Sequence, residues 1–166
     1  NFENFPQFEN YAKMNYGATA DPIDAINNFI NWVNSIVRKR GKTLRIYNDV
    51  MSVVNSQNIK TQTTIDKNIV IDFWEGKDGP KWYIENGYKI CNAAQDFMYY
   101  NTGQGWIIYN PNFYKWWYPS IYNGHAKVQD NHPSNLGAKF HIWCNVPYLE
   151  TESHIANEIR NTLRIL

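Results

Sequence analysis

Four short apolar segments, each running into aromatic and polar residues, set the pattern of this chain. They span 43–49, 69–76, 88–96 and 138–145, and helical or turn-rich stretches separate them. Such alternation of strand and crossover predicts an α/β fold with a parallel sheet. Since ligands bind at the carboxyl ends of parallel strands, we expect a site where these segments end.

The most regular helix pattern lies just before the first strand. Asp21 is a suitable N-cap, Pro22 suits the first helical position, and Gly41 suits the end. One apolar face follows at steps of three and four residues: Ile23, Ile26, Ile30, Val33 and Val37. This spacing predicts a helix that packs on the sheet.

The other connections are less regular. Residues 1–20 are predicted to form an irregular lead-in that could include a short helix. The polar composition of 50–68 indicates a loop that could include one helical turn. Further helices are expected over 80–86, over 110–117 and from about 151 onward.

No internal repeat or linker divides the chain, so residues 1–166 are predicted to form a single segment. A hydrophobic content of 43% is enough for a core. Four parallel strands make a poor closed barrel, but they suit the second half of an eight-stranded one that ends with a closing helix. The predicted fold is therefore half of a TIM-type (β/α)8 barrel.

Composition narrows the classes of ligand. A net charge of +1 removes bulk electrostatic attraction to nucleic acid or another polyanion. Aromatic residues make up 16% of the chain, so many of these side chains must lie either in the core or in a binding surface. Trp and Tyr faces ringed by Asn, Asp and Gln offer a sugar flat surfaces for its C–H groups and partners for its hydroxyls.

Several kinds of site have no signature. No apolar run approaches the roughly twenty residues that span a bilayer, and residues 1–6 show no leader pattern. His125, His132, His141 and His154 lack metal-binding spacing, so we expect solvated or core histidines and no metal ion. Phosphate-binding glycine loops and nucleophile elbows are also missing, and no cofactor is predicted.

Four longer pieces of sequence carry a resemblance to a known family. They are 44–49, 66–74, 87–100 and 136–147. In order and spacing they resemble strands five to eight of glycoside hydrolase family 20, the β-N-acetylhexosaminidases, with the closest likeness to bacterial surface members. The likeness extends over residues 22–166, which is nearly the whole chain.

The resemblance implies a retaining enzyme that removes terminal N-acetylglucosamine or N-acetylgalactosamine, with the substrate's own 2-acetamido oxygen as nucleophile. In the family an adjacent Asp-Glu pair after strand four orients the acetamide and supplies the general acid. This sequence contains no Asp-Glu dipeptide. We therefore expect the acid on a missing N-terminal half of the barrel and no activity in this segment alone. Secretion or display on the bacterial cell surface is the implied location.

Carried over by position, three tryptophans form the implied sugar pocket. Trp74 resembles the residue that walls the acetamide pocket, and Trp143 resembles the one under the sugar ring. Trp106 resembles a pocket tryptophan from the loop after strand seven, although Trp116 or Trp117 could serve instead. Aromatic residues at strand ends also occur simply as core, which is the alternative for this set.

Three positions depart from the family pattern. Tyr47 stands where tryptophan is common, and Phe97 stands where a tyrosine hydroxyl would bond the acetamide oxygen, unless Tyr99 fills that role. Asn145 replaces an acidic residue that accepts hydrogen bonds from distal sugar hydroxyls. Charge-assisted bonds are about twice as strong as neutral ones, so the preferred glycan stays open.

Polar side chains complete the candidate set. Asp49 and Asp72 are candidate hydrogen-bonding carboxylates, and Asp72 shares the strand face of Trp74. Gln95 and Asp96 are candidates for contact with sugar hydroxyls. Capping of the turn that follows its strand is the alternative for Asp96.

Other functions fit parts of the pattern. A carbohydrate-binding module without chemistry would use the same aromatic floor. Stacking on single-stranded nucleic acid is weaker, since that function normally needs a basic groove. Unpaired strand edges would also favour self-association of the chain.

Overall fold

The computed structural model describes residues 5–76, 79–103, 106–107 and 115–164. Within them the helices are α1 (Pro6–Tyr16), α2 (Pro22–Lys39), α3 (Asp49–Ser56), α4 (Gly79–Glu85), α5 (Gln95–Met98) and α6 (Glu152–Leu163). The strands are β1 (Arg45–Tyr47), β2 (Val70–Phe73), β3 (Lys89–Asn92), β4 (Tyr99–Asn101), β5 (Trp106–Ile107), β6 (Asn135–Ala138) and β7 (His141–Trp143). One turn of 3₁₀ helix covers Asn123–His125.

The strands form two sheets that are mostly parallel. In the larger sheet the order is β1-β2-β3-β6, and every neighbouring pair is parallel. In the smaller sheet β4 pairs with β7 in parallel and with β5 antiparallel. The predicted parallel α/β architecture is therefore confirmed.

The bounds of the third and fourth predicted strands are wrong. The third stops at Asn92, whose side-chain oxygen accepts a hydrogen bond from the Ala94 amide at 3.0 Å and turns the chain into α5. Extended backbone resumes as β4. The fourth begins three residues earlier than expected, at Asn135, and is interrupted before β7. Each of these strands is thus two short pieces in succession.

Two predicted irregular segments contain helices. The lead-in forms α1, where Pro6 suits the first position and Ala12 is fully buried near α2. The polar segment after β1 begins with α3, which is eight residues long and buries Met51 in the core. Its apolar residues outweighed the polar composition of the stretch as a whole. The helix predicted over 110–117 lies mainly outside the described residues.

Helix α2 has the predicted bounds but a more polar buried face. Asp21 accepts a hydrogen bond from the Ile23 amide at 2.9 Å, and this is the predicted cap. Asn27 and Asn34 are buried among the apolar residues. They donate to the Thr63 carbonyl and to Asp66 in the segment before β2. The helix therefore packs on backbone of that segment as well as on apolar side chains.

The main core lies around β2 and β3 and fixes where their carboxyl ends point. Buried residues of this core include Ile69, Ile71, Phe73, Tyr83, Tyr88, Ile90 and Tyr122. Phe73 meets the rings of Tyr83 and Tyr122 edge to face, each at 5.4 Å between centroids. No helix in the described part of the chain has the length and apolar character needed to cross a membrane.

Candidate functional site

A cleft of about 390 Å³ opens at the carboxyl ends of the parallel strands. It is lined by Tyr47, Asp49, Trp74, Gln95, Tyr99, Asn101, Trp143 and Asn145. Seven of these eight residues, all except Asn101, were proposed from the sequence. Asn101 was not foreseen, although its pairing with Trp143 across β4 and β7 places both at one level.

Strand ends explain how distant parts of the sequence meet here. Tyr47 is the last residue of β1, Trp74 directly follows β2, and Trp143 is the last residue of β7. Each of these strands is paired in parallel within its own sheet, and their final residues meet at one cleft. The cleft is therefore formed by the arrangement of several strands, and no single strand contains all of its residues.

Three near-parallel rings form the aromatic wall of the cleft. Tyr99 lies 5.9 Å from Trp74 with 23° between the ring planes, and 6.0 Å from Trp143 with 25° between them. Trp143 is 39% exposed, so one of its surfaces is available to a ligand. Apolar ring surface beside amide and carboxylate groups suits a neutral, hydroxylated ligand.

The backbone of Trp74 is held by three neighbours. Its amide donates to Asn48 Oδ1 at 3.0 Å, and its carbonyl accepts from the Gln95 amide at 2.9 Å and from Asn123 Nδ2. Asn48 is completely buried and its Nδ2 also donates to the Glu75 carbonyl. This network ties the start of α3 and the turn after β3 to the end of β2, which fixes the tryptophan before any ligand arrives.

A buried histidine stands behind the aromatic wall. His141 Nδ1 lies 2.8 Å from the Tyr47 hydroxyl, and the imidazole is 8% exposed. Its centroid is 5.0 Å from the Tyr99 ring and 6.5 Å from Trp143. The sequence indicated only a solvated or core histidine. Strand alternation was the available signal, since position 141 is two residues before Trp143.

Burial lowers the pKa of His141 to about 4, with a further lowering by Lys139 and an opposing effect of Asp72. Burial also raises the pKa of Tyr47, and it is the first cause of the raised pKa of Tyr99. The His141 ring is therefore neutral near pH 7. Both phenols stay protonated there and can donate hydrogen bonds.

From the lowered pKa of His141 we predict that the protein loses stability in acid. The unfolded imidazole binds a proton near pH ~6.5 and the folded one only near about 4. Between these values the unfolded state holds more protons, so the free energy of unfolding falls as pH falls. Above the unfolded-state pKa, the contribution of His141 to stability is fully present. We expect the titration of His141 to lower the free energy of unfolding by about 2 kcal/mol across this window.

The measurement is urea denaturation of the unaltered chain and of His141→Phe at about pH 7 and about pH 4.5. Phenylalanine keeps the ring but cannot titrate, and the three other histidines contribute equally to both proteins. The variant should lose about 2 kcal/mol less on acidification. An equal loss in both proteins would contradict the prediction.

Asp72 is not among the described residues that line the cleft. Its buried carboxylate is 2.5 Å from Arg45 Nη2 and 2.9 Å from Lys139 Nζ. Both cations are about two-fifths exposed, while the Asp72 side chain is 3% exposed. Two partners satisfy the carboxylate, which indicates a role in joining β1, β2 and the segment before β7.

Asp96 and Phe97 lie outside the cleft lining. Asp96 Oδ2 accepts from the Gly124 amide at 2.8 Å, and its own amide donates to Asn123 Oδ1 at 3.0 Å. Asp96 therefore binds the distant Asn123–His125 turn, and not the turn that follows its own strand as the alternative held. Phe97 is buried and packs edge to face with Trp116 at 5.7 Å.

Of the proposed tryptophans, only Trp106 has no described side chain. Its backbone pairs with Asn101, next to the cleft. Of its two possible substitutes, Trp117 is 2% exposed and donates from Nε1 to the Ile121 carbonyl, so it is a core residue. The other, Trp116, packs against Phe97 in the same cluster.

The described lining of the cleft consists of aromatic rings, amides and one carboxylate. Asp49 is the one carboxylate among the described lining residues, and its polar neighbours are the amides Gln95, Asn101 and Asn145. In the described part of the chain, no three His, Cys, Asp or Glu side chains form a group that could hold a metal ion. Among the described lining residues there is no pair of carboxylates at which two-carboxylate glycoside hydrolysis would occur.

Comparison with known sequences identifies one family. The model described as glycosyl hydrolase family 20, catalytic domain, matches residues 1–155. Lacto-N-biosidase from Bifidobacterium bifidum is 32% identical over 171 residues, an alignment that covers 99% of this chain and 14% of that protein.

Solved structures are similar in fold. The GH20 catalytic modules of the pneumococcal exo-β-D-N-acetylglucosaminidase StrH match with a TM-score of 0.66 and 19% identity, over 87% of this chain and 36% of that chain. Dispersin B matches with a TM-score of 0.62 and 18% identity, over 84% of this chain and 47% of the other. The chain thus spans less than half the length of each of these relatives.

Proposed function

Because the chain belongs to glycosyl hydrolase family 20, we propose that it is part of a β-N-acetylhexosaminidase and supplies the sugar-binding pocket of that enzyme. The protein of which it is a part removes terminal N-acetylhexosamine from glycans. The observation that carries this proposal is the cleft where Trp74, Tyr99 and Trp143 meet at the carboxyl ends of parallel strands.

Each part of the cleft has a proposed role. The indoles of Trp74 and Trp143 contact the acetamide group and the apolar face of the sugar ring. The Tyr99 ring lies between them, and its hydroxyl donates a hydrogen bond to the acetamide oxygen, in place of Phe97, which is buried elsewhere. Asp49 and Asn145 bind hydroxyls at the rim of the cleft.

The reaction is substrate-assisted in this proposal. The 2-acetamido oxygen attacks the anomeric carbon, and the aromatic wall holds that group in the attacking position. The general acid and the group that orients the acetamide come from a part of the protein outside this chain, since the 166 residues contain no Asp-Glu dipeptide. The chain alone is therefore expected to be inactive.

Family 20 domains are TIM barrels, which supports the proposal that the chain is part of a larger barrel. We propose that β1, β2, the β3–β4 run and the β6–β7 run are strands five to eight. The N-terminal half of the barrel is then a partner of the larger sheet, whose edge strands are β1 and β6. Without it, the same edges favour self-association. Bacterial relatives support a bacterial protein that is secreted or held at the cell surface.

The decisive experiment separates binding from hydrolysis. Titration of the labelled chain with N-acetylglucosamine should shift the indole N–H signals of Trp74 and Trp143 and leave the signal of exposed Trp32 in place. The same chain should release no phenol from an aryl β-N-acetylglucosaminide. Addition of the upstream half of the barrel should restore release.

Each result has an opposite that would count against the proposal. Hydrolysis by the 166 residues alone would show that the acid lies within them. A lack of binding would show that the aromatic cleft is not a sugar pocket.

The alternative is a carbohydrate-binding module without chemistry, which the single carboxylate of the described lining favours. In that case N-acetylglucosamine binds, but the upstream half of the barrel adds no activity. The two functions therefore differ only in the last step of the experiment.

A further inference from the structure

The contact between Tyr47 and His141 joins the first and last strands that reach the cleft. Tyr47 is a lining residue, and its hydroxyl is 2.8 Å from His141 Nδ1. The two rings are 5.4 Å apart between centroids. Where the family resemblance leads one to expect a tryptophan, this chain therefore has a hydroxyl with a fixed partner.

The state of the imidazole determines what the hydroxyl can do. Burial keeps the ring neutral near pH 7, so it carries one N–H. If that hydrogen is on Nε2, Nδ1 accepts from Tyr47 and the phenol proton is used within the protein. If it is on Nδ1, the imidazole donates to the phenol oxygen and the phenol proton is free to point elsewhere.

The surroundings of Nε2 distinguish these two tautomers. This atom is inaccessible to solvent, and no described residue forms a hydrogen bond with it. An N–H in this place would be a buried donor without an acceptor, which is rarer in native proteins than an under-used acceptor. The Nδ1–H tautomer avoids that arrangement.

We propose that His141 is a positioning residue: its Nδ1–H donates to the Tyr47 oxygen, and the Tyr47 hydroxyl donates in turn to an oxygen of an N-acetyl sugar in the cleft. The identity of the ligand rests on the proposed function. The tautomer rests only on the geometry of the two side chains. Tyr47 thus adds a second phenol donor to the cleft, beside the Tyr99 hydroxyl.

The first test reads the tautomer without any sugar. In the chain labelled with ¹⁵N-histidine, multiple-bond ¹H–¹⁵N correlation near pH 7 should assign the hydrogen of His141 to Nδ1. Tyr47→Phe should move the Nδ1 signal of His141 and leave those of the other histidines unchanged. Assignment of the hydrogen to Nε2 would overturn the proposal.

The second test measures N-acetylglucosamine affinity in a double-mutant cycle. Tyr47→Phe removes the donor, and His141→Phe removes the group that orients it while keeping a ring against Tyr99. Each should weaken binding about fivefold, as for one neutral hydrogen bond. The double variant should be no weaker than either single one. Tyr118→Phe, at an exposed tyrosine outside the cleft, is the matched control and should bind normally.

The outcomes are distinguishable. The proposed coupling between the two side chains would be overturned if the loss of affinity in the double variant equalled the product of the two single losses. Normal binding by Tyr47→Phe would also overturn it. If His141→Phe fails to fold, Tyr47→Phe and the tautomer still decide the question. If the unaltered chain binds no N-acetylglucosamine, the proposed function fails together with the ligand contact, whereas the nitrogen assignment is unaffected.

Discussion

Replacing Trp143 with alanine should weaken N-acetylglucosamine binding by about 30-fold, because truncating a tryptophan at the centre of a binding site costs about 2 kcal/mol. The indole ends β7, is 39% exposed and lies beside the Tyr99 ring. Its loss removes the flat apolar surface against which the sugar would pack. Titration calorimetry or ligand-observed NMR measures the change.

Trp32→Ala is the matched control for this experiment. Trp32 is 58% exposed on α2 and lines a separate groove with Phe8 and Tyr11 from α1. Its removal should leave sugar affinity unchanged. Trp143→Phe should retain part of the affinity, since a smaller ring still offers a face. Equal affinities for the two alanine variants would contradict a sugar-binding role of Trp143.

Replacing Asp24 with alanine should lower the free energy of unfolding by about 3 kcal/mol, since buried donors without an acceptor cost about 1–3 kcal/mol each and part of the loss is recovered by relaxation. The carboxylate is fully buried in the first turn of α2. Oδ1 accepts from the amides of Gln62 and Thr63 and from the Thr63 hydroxyl, at 2.7–2.8 Å. Oδ2 accepts from the Asp21 amide at 3.0 Å.

Asp21→Ala provides a control within the same capping box. The Asp21 side chain accepts from the Ile23 amide, and its loss should cost about 1 kcal/mol, as is typical of an N-cap. Urea denaturation of both variants measures the difference. Equal losses would contradict the view that Asp24 joins α2 to the segment before β2.

Local signals in the sequence made several elements predictable. The cap at Asp21 and the apolar segment that begins at residue 69 are local signals, and α2 and β2 occur where these signals indicate. The interrupted strands were not predictable in this way. Asn92 ends β3 by bonding the Ala94 amide, while its Nδ2 donates to the Pro119 and Ile121 carbonyls, and such long-range partners leave no periodic trace.

The candidate site shows the same division. Trp74 and Trp143 were proposed from strand ends and resemblance, and the cleft brings them together with Tyr47 and Tyr99. Asp96 and Phe97 were proposed on the same basis, but the turn into α5 directs them to the Asn123–His125 turn and to the Trp116 ring instead.

By itself the sequence determined the kind of fold, because the alternation of apolar strands and crossovers leaves few ways to bury both faces of a parallel sheet. It also determined that aromatic residues stand at strand ends. Which of them face one another was decided only by the tertiary structure, since β1 and β7 are almost a hundred residues apart and meet through the order of strands between them. The Tyr47–His141 contact is the clearest case, because neither position carries a local signal of the other.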